Sequence, residues 1–244
     1  MDILFYALIG FVVGVFTGVF GIGGGSVRIP LLAATGMPLV TAFATNMFAI
    51  PFSSAIGAYI HRRHIAWSFA GWFSLGGVSG IIIATLFVGS VSSGVLAVLF
   101  FVAALITVFG LYLDRISPKL SMLFERSPRN LFFGAFFGNL LIGLRGGSGG
   151  TLYPPILRSM RFEMRESIAT ALFAGCFSSI AALVLYAIGG YIAVVPGLIV
   201  AGTGMLGSAF GSHISLRIDG RWLAAGLSIT VICLAFLVLI MEFG

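Results

Sequence analysis

Residues 14–30 read GVFTGVFGIGGGSVRIP, and residues 138–155 read GNLLIGLRGGSGGTLYPP. Each is an apolar stretch cut by glycines: Gly21-Ile22-Gly23-Gly24-Gly25 in the first, Gly146-Gly147-Ser148-Gly149-Gly150 in the second. Such runs hold a regular helix poorly. A shift of 125 residues superposes them, so that Gly18, Gly21, Gly24, Gly25, Pro30 and Leu32 fall on Gly143, Gly146, Gly149, Gly150, Pro155 and Leu157. The match continues, with Ala44-Thr45 falling on Ala169-Thr170 and Phe52-Ser53-Ser54 on Phe177-Ser178-Ser179. A shift of 127 carries Gly77 and Gly80 onto Gly204 and Gly207. The chain therefore reads as two repeats, 1–113 and 131–244, joined by a cytoplasmic linker at 114–130.

Outward from these stretches the chain is as apolar as they are. Apolar residues make up 59% of it and charged residues 8%, against about 25% charged in a soluble domain. So few charges could not cover a globule in water. Apolar segments run over 3–34, 41–60, 66–89, 92–113, 131–157, 167–188, 191–213 and 221–242. About 20 residues of helix span a hydrocarbon core of roughly 30 Å, whereas a membrane β-strand would alternate over about ten. The expected fold is an all-α integral membrane bundle. Each repeat has a glycine-broken first segment and three transmembrane helices. The expected place is the cell membrane, crossed several times (the inner membrane in a bacterium).

The net charge of +6 does not point to nucleic acid, because the basic residues sit in short loops and form no stripe. They orient the chain instead. Of the 13 basic residues, only Arg28 and Arg145 lie inside apolar segments. If each broken segment crosses once, the other eleven divide six to five between the two sides. If each enters and returns as a hairpin, all eleven fall on one side. The hairpin obeys the positive-inside rule far better and gives each half five membrane segments, an odd number. The repeats are then inverted.

Arg28 and Arg145 each lie beside a glycine break, and no acidic residue lies well inside a span. An arginine at membrane depth costs at least about 2.5–3.5 kcal/mol on the insertion scale, so it usually faces a cavity and serves function. Glycine runs present backbone N–H groups and helix N-termini to an anion, and guanidinium offers a planar fork to an oxyanion. The candidate substrate-binding set is Gly23, Gly24, Gly25, Ser26, Arg28, Thr45 and Asn46 in the first half. In the second it is Arg145, Gly147, Ser148, Gly149, Gly150, Thr151 and Thr170. Asn139 and Tyr153 lie close by in sequence. His61, His64 and His213 sit at span ends and read as interface residues. Cys176 and Cys233 lie in apolar runs and read as packing residues. No catalytic triad, metal-ligand spacing or nucleotide-binding Gly-Lys-Ser/Thr ending is present, so neither an enzyme nor a cofactor is expected.

At these motifs the chain resembles the sulfite exporter TauE/SafE family of membrane permeases. Gly14 to Pro30, Ala42-Phe43-Ala44-Thr45-Asn46, Gly138 to Pro155 and Ser167-Ile168-Ala169-Thr170 carry the resemblance. The second half departs from a plain glycine run, with Arg145 before it and Ser148 within it. The resemblance implies a secondary transporter linked to export of sulfite or organosulfonates such as sulfoacetate. The partners then expected are the bilayer, a small anionic substrate and a coupling ion. An anion channel would use the same two breaks, and a membrane-embedded enzyme is a weaker third reading.

Overall fold

A computed structural model of the protein describes residues 2–88, 90, 92–111, 125–144 and 146–243. Arg145 and most of the 114–130 linker lie outside the described residues. Ten α-helices and two short 3-10 turns account for the described fold, with no strand among those residues. The helices are α1 (Asp2–Phe20), α2 (Gly25–Ala33), α3 (Leu39–Ile60), α4 (Trp67–Leu86), α5 (Ser93–Leu111), α6 (Pro128–Gly143), α7 (Tyr153–Ser159), α8 (Met164–Ile188), α9 (Val194–Ser215) and α10 (Gly220–Phe243). Six of them, α1, α3, α4, α8, α9 and α10, are long and apolar enough to cross a membrane. Leu4, Leu86, Ile188, Leu206 and Trp222 stand exposed on their surfaces, as lipid-facing side chains must.

At α6 and α8 the helix starts three residues before the apolar run, because polar caps extend it. Ser127 accepts a hydrogen bond from the Asn130 N–H at 3.2 Å, with Pro128 in the first turn. Glu163 and Glu166 form a reciprocal capping box at the start of α8. Caps satisfy N–H groups that a helix leaves unpaired, and hydropathy does not register them.

Each glycine-broken segment is a hairpin with unequal arms. The Tyr6 and Thr35 hydroxyls meet at 3.3 Å, joining the start of α1 to the end of α2. A Cβ added at Gly134 would meet Ile156 and Met160, and one at Gly138 would meet Ile156 and Tyr153. So α2 runs back along α1, and α7 back along α6. The long arms have 19 and 16 residues, the short arms 9 and 7.

The two halves exchange partners. Gly10, Gly14 and Gly18 of α1 lie against Val200, Gly204 and Ser208 of α9 in ascending order. Gly76 and Gly80 of α4 lie against Phe132 and Phe136 of α6, also ascending. Both pairs are therefore parallel, and glycine lets their backbones approach closely, as membrane helices require. In contrast, α3 and α8 run in opposite directions. Gly57 faces Leu172, Ser54 faces Gly175, and the Cys176 thiol reaches the Pro51 carbonyl at 3.5 Å. At the edge, α5 packs on α10 through an edge-to-face contact of Phe101 and Phe236.

Candidate substrate site

The two glycine breaks touch each other. A Cβ added at Gly150 would overlap the Gly23 nitrogen and stand 2.8 Å from its Cα. One added at Gly23 would overlap the Ser148 hydroxyl, and one at Gly25 would lie 3.2 Å from the Gly147 Cα. The contact of Gly150 with Gly23 is backbone to backbone, so only glycine fits there. The turns leading into them have the same shape. Gly21 has φ 72° and Gly146 has φ 74°, a left-handed conformation that costs other L-residues energy. They are equivalent under the 125-residue shift.

Gly24, also left-handed at φ 69°, caps α2, and Arg28 follows one turn later. The Arg28 side chain is fully buried. Its Nη1 donates to the Asn46 side-chain oxygen Oδ1 at 3.1 Å, and its Nε and Nη2 have no partner. Asn46 Nδ2 and Ser148 Oγ are likewise buried and unpaired. Gly204 of α9 leaves room beside the guanidinium, since a Cβ there would come within 3.9 Å of Nη2. A buried charge normally takes an opposite charge and a full set of hydrogen bonds. Here a cation and several unused donors converge where the chain breaks, and the nearby start of α2 adds the positive end of a helix. The arrangement is suited to an anion.

The structure thus brings Gly23, Gly25, Arg28, Asn46, Gly147, Ser148 and Gly150 together. Gly24 instead packs on Val13 of α1, Gly149 opens a 3-10 turn, Ser26 is half-buried and Thr151 is buried beside the break. Two candidates are occupied elsewhere. The Thr45 hydroxyl donates to Met37 Sδ at 3.5 Å, and the Thr170 hydroxyl accepts from the Ala66 N–H at 3.1 Å. Sequence reasoning passed over Gly204, although its repeat match with Gly77 was visible.

His61 corrects the reading of the histidines. It ends α3 fully buried, with neither ring nitrogen hydrogen-bonded, whereas His64 and His213 keep contact with solvent. Burial first, then the neighbouring His64, push its pKa down to about 4; the Gly18 carbonyl opposes them, and Arg165 and His213 add smaller downward effects. The unfolded ring takes up a proton as pH falls through about 6.5, while the folded ring stays neutral down to about 4. Its contribution is therefore an acid-side loss of stability, absent above pH 6.5 and reaching about 3 kcal/mol near pH 4. Thermal unfolding of detergent-solubilised wild type and His61→Gln at pH 7 and pH 4.5 measures it. The variant should lose less on acidification, and equal losses would show that His61 carries none of the dependence.

Comparison with known proteins gives the same direction along the whole chain. A probable membrane transporter protein of Methanocaldococcus jannaschii is 26% identical over 252 aligned residues, covering 91% of this chain and 89% of that protein. One from Haemophilus influenzae is 24% identical over 204 residues, 78% of this chain and 75% of its own length. The probable membrane transporter protein YunE of Bacillus subtilis is 43% identical over 65 residues, a quarter of this chain. No solved structure matches. The family model of the sulfite exporter TauE/SafE aligns with residues 6–238, through both glycine breaks and every helix around them. This polytopic helical chain belongs to the sulfite exporter TauE/SafE family.

Proposed function

We propose that this protein is a secondary transporter that exports a small anion, sulfite or an organosulfonate, across the cell membrane by alternating access. The observation that carries the proposal is Arg28: fully buried, unpaired at two nitrogens, and set where the two breaks touch. The substrate sits between the breaks, held by Arg28, Asn46, Ser148 and the N–H groups of the glycine runs. The relatives' names and the family model support transport. No acidic residue lies well inside a span, those in α1, α8 and α10 standing in their terminal turns, which leaves Arg28 to the substrate. No observation favours an enzyme.

Binding is tested first by thermal shift in detergent with sulfite, sulfate, thiosulfate, sulfoacetate and taurine. A ligand that binds only the folded state raises its apparent stability. At least one sulfur oxyanion should do so, and its flux into proteoliposomes should be slow and saturable. Linear, unsaturable flux would make the protein a channel. No shift and no flux with any of the five would end the proposal.

The repeats 1–113 and 131–244 are proposed to be inverted, which the opposite runs of α3 and α8 support. Transporters built on inverted repeats bind substrate where their broken helices meet. Single cysteines replacing Arg62 and Tyr191, which follow equivalent helices, should label from opposite sides of the membrane. Labelling from the same side would make the repeats parallel.

A further inference from the structure

The shift that superposes the glycine runs also carries residue 28 onto residue 153. Arg28 and Tyr153 share no chemistry, yet they occupy one position in a frame built twice. Both are fully buried on the short returning arm of a hairpin. The Arg28 guanidinium lies beside Gly204 of α9, and the Tyr153 hydroxyl lies against Gly77 of α4. Gly77 and Gly204 are themselves a repeat pair. The Tyr153 ring is fixed by an edge-to-face contact with Phe73 at 4.7 Å. Its hydroxyl has no hydrogen-bond partner, with the Ser178 hydroxyl near it but outside bonding geometry. Asn139 of the long arm, beside the same glycine, is committed to the Gly77 carbonyl at 2.7 Å. A buried phenol left unpaired on a rigid ring is a donor held for something else.

We propose that Tyr153 is the second half's ligand for the transported anion, and that the pairing of one guanidinium with one neutral hydroxyl selects a monovalent anion over a divalent one. This rests on the anion site proposed above. A monoanion beside Arg28 forms a neutral pair in the dry interior. A dianion leaves one net charge buried with nothing to compensate it, which is penalised. An arginine in place of Tyr153 would supply that compensation, as the equivalent position 28 of the first half already holds one. Arg145 is the rival source of a second charge, and the experiment separates the two.

Binding is measured by calorimetry on folded, detergent-solubilised protein, with methanesulfonate as the monovalent probe and sulfate as the divalent one. Wild type should bind methanesulfonate at least about tenfold more tightly than sulfate, a difference of about 1.4 kcal/mol. Tyr153→Phe keeps the ring and loses only the donor. It should weaken methanesulfonate by roughly three- to tenfold while melting at the wild-type temperature. Tyr153→Arg should narrow or reverse the preference. If Tyr153→Phe binds methanesulfonate like wild type while Arg28→Gln does not, the anion site stands and the role of Tyr153 falls. A wild-type preference for sulfate would assign the second charge to Arg145 and overturn the proposal. Binding of neither probe, or unchanged binding by Arg28→Gln, would remove the anion site and this inference with it.

Discussion

Arg28→Gln should lower the affinity for the best-binding sulfur anion by roughly 10- to 150-fold, the value of one charge-assisted hydrogen bond of about 1.5–3 kcal/mol. Arg28→Lys should fall between, because it keeps the charge and loses the planar fork. The effect on the empty protein should have the opposite sign. Arg28 has one neutral partner, the Asn46 side-chain Oδ1, and two unpaired nitrogens. Removing a buried charge that lacks compensation relieves a desolvation cost, so Arg28→Gln should melt no lower than wild type without ligand. Calorimetry and thermal unfolding on one preparation read both. Equal affinity would make Arg28 structural. Lost affinity together with a lower melting temperature would make the loss a folding defect.

Gly150→Leu should abolish transport, by more than tenfold per folded molecule. The added Cβ would fall on the Gly23 backbone, and backbone cannot turn aside as a side chain can. Either the breaks separate and the site is lost, or the hairpins are wedged in one arrangement. Gly71→Ala in α4 is the matched control, since nothing lies within 4 Å of its added Cβ. That change should leave flux intact and add up to about 1 kcal/mol of helix stability. Flux in proteoliposomes, divided by the folded yield from size-exclusion chromatography, measures both. If Gly150→Leu transports normally per folded molecule, the contact between the breaks has no part in the cycle.

Most of the architecture was legible because lipid imposes one simple rule, that polar backbone must be satisfied within the segment. Apolar length then located the spans, and the glycine runs located the breaks. The hairpins followed from arginines and lysines that would otherwise divide between the two sides. Lateral order was less legible. A membrane helix that is apolar on all faces carries no stripe to show which neighbour it meets, so the meeting of α1 with α9 and α4 with α6 came only from the structure. The site divided in the same way. Arg28 announced itself by the cost of its burial, and Asn46 stood in the candidate set, but nothing in the sequence paired it with a residue eighteen positions away. Thr45 and Thr170 matched across the repeats and looked like ligands. The structure gives each another partner, Met37 for Thr45 and the Ala66 N–H for Thr170, which pairing across repeats does not reveal. His61 looked like its two exposed neighbours, since sequence does not record which end of a helix is covered.

On the alternating-access cycle proposed above, the contact between Gly23 and Gly150 also sets a clock. Side chains that close a pathway change rotamer in picoseconds to nanoseconds, and water or small ions slip through during those excursions. Main chain against main chain has no rotamer to change. It opens only when whole helices shift, a motion of microseconds to milliseconds. A barrier of this kind keeps uncoupled leak tied to the frequency of the transport stroke itself, so a membrane holding many copies would stay electrically tight between turnovers.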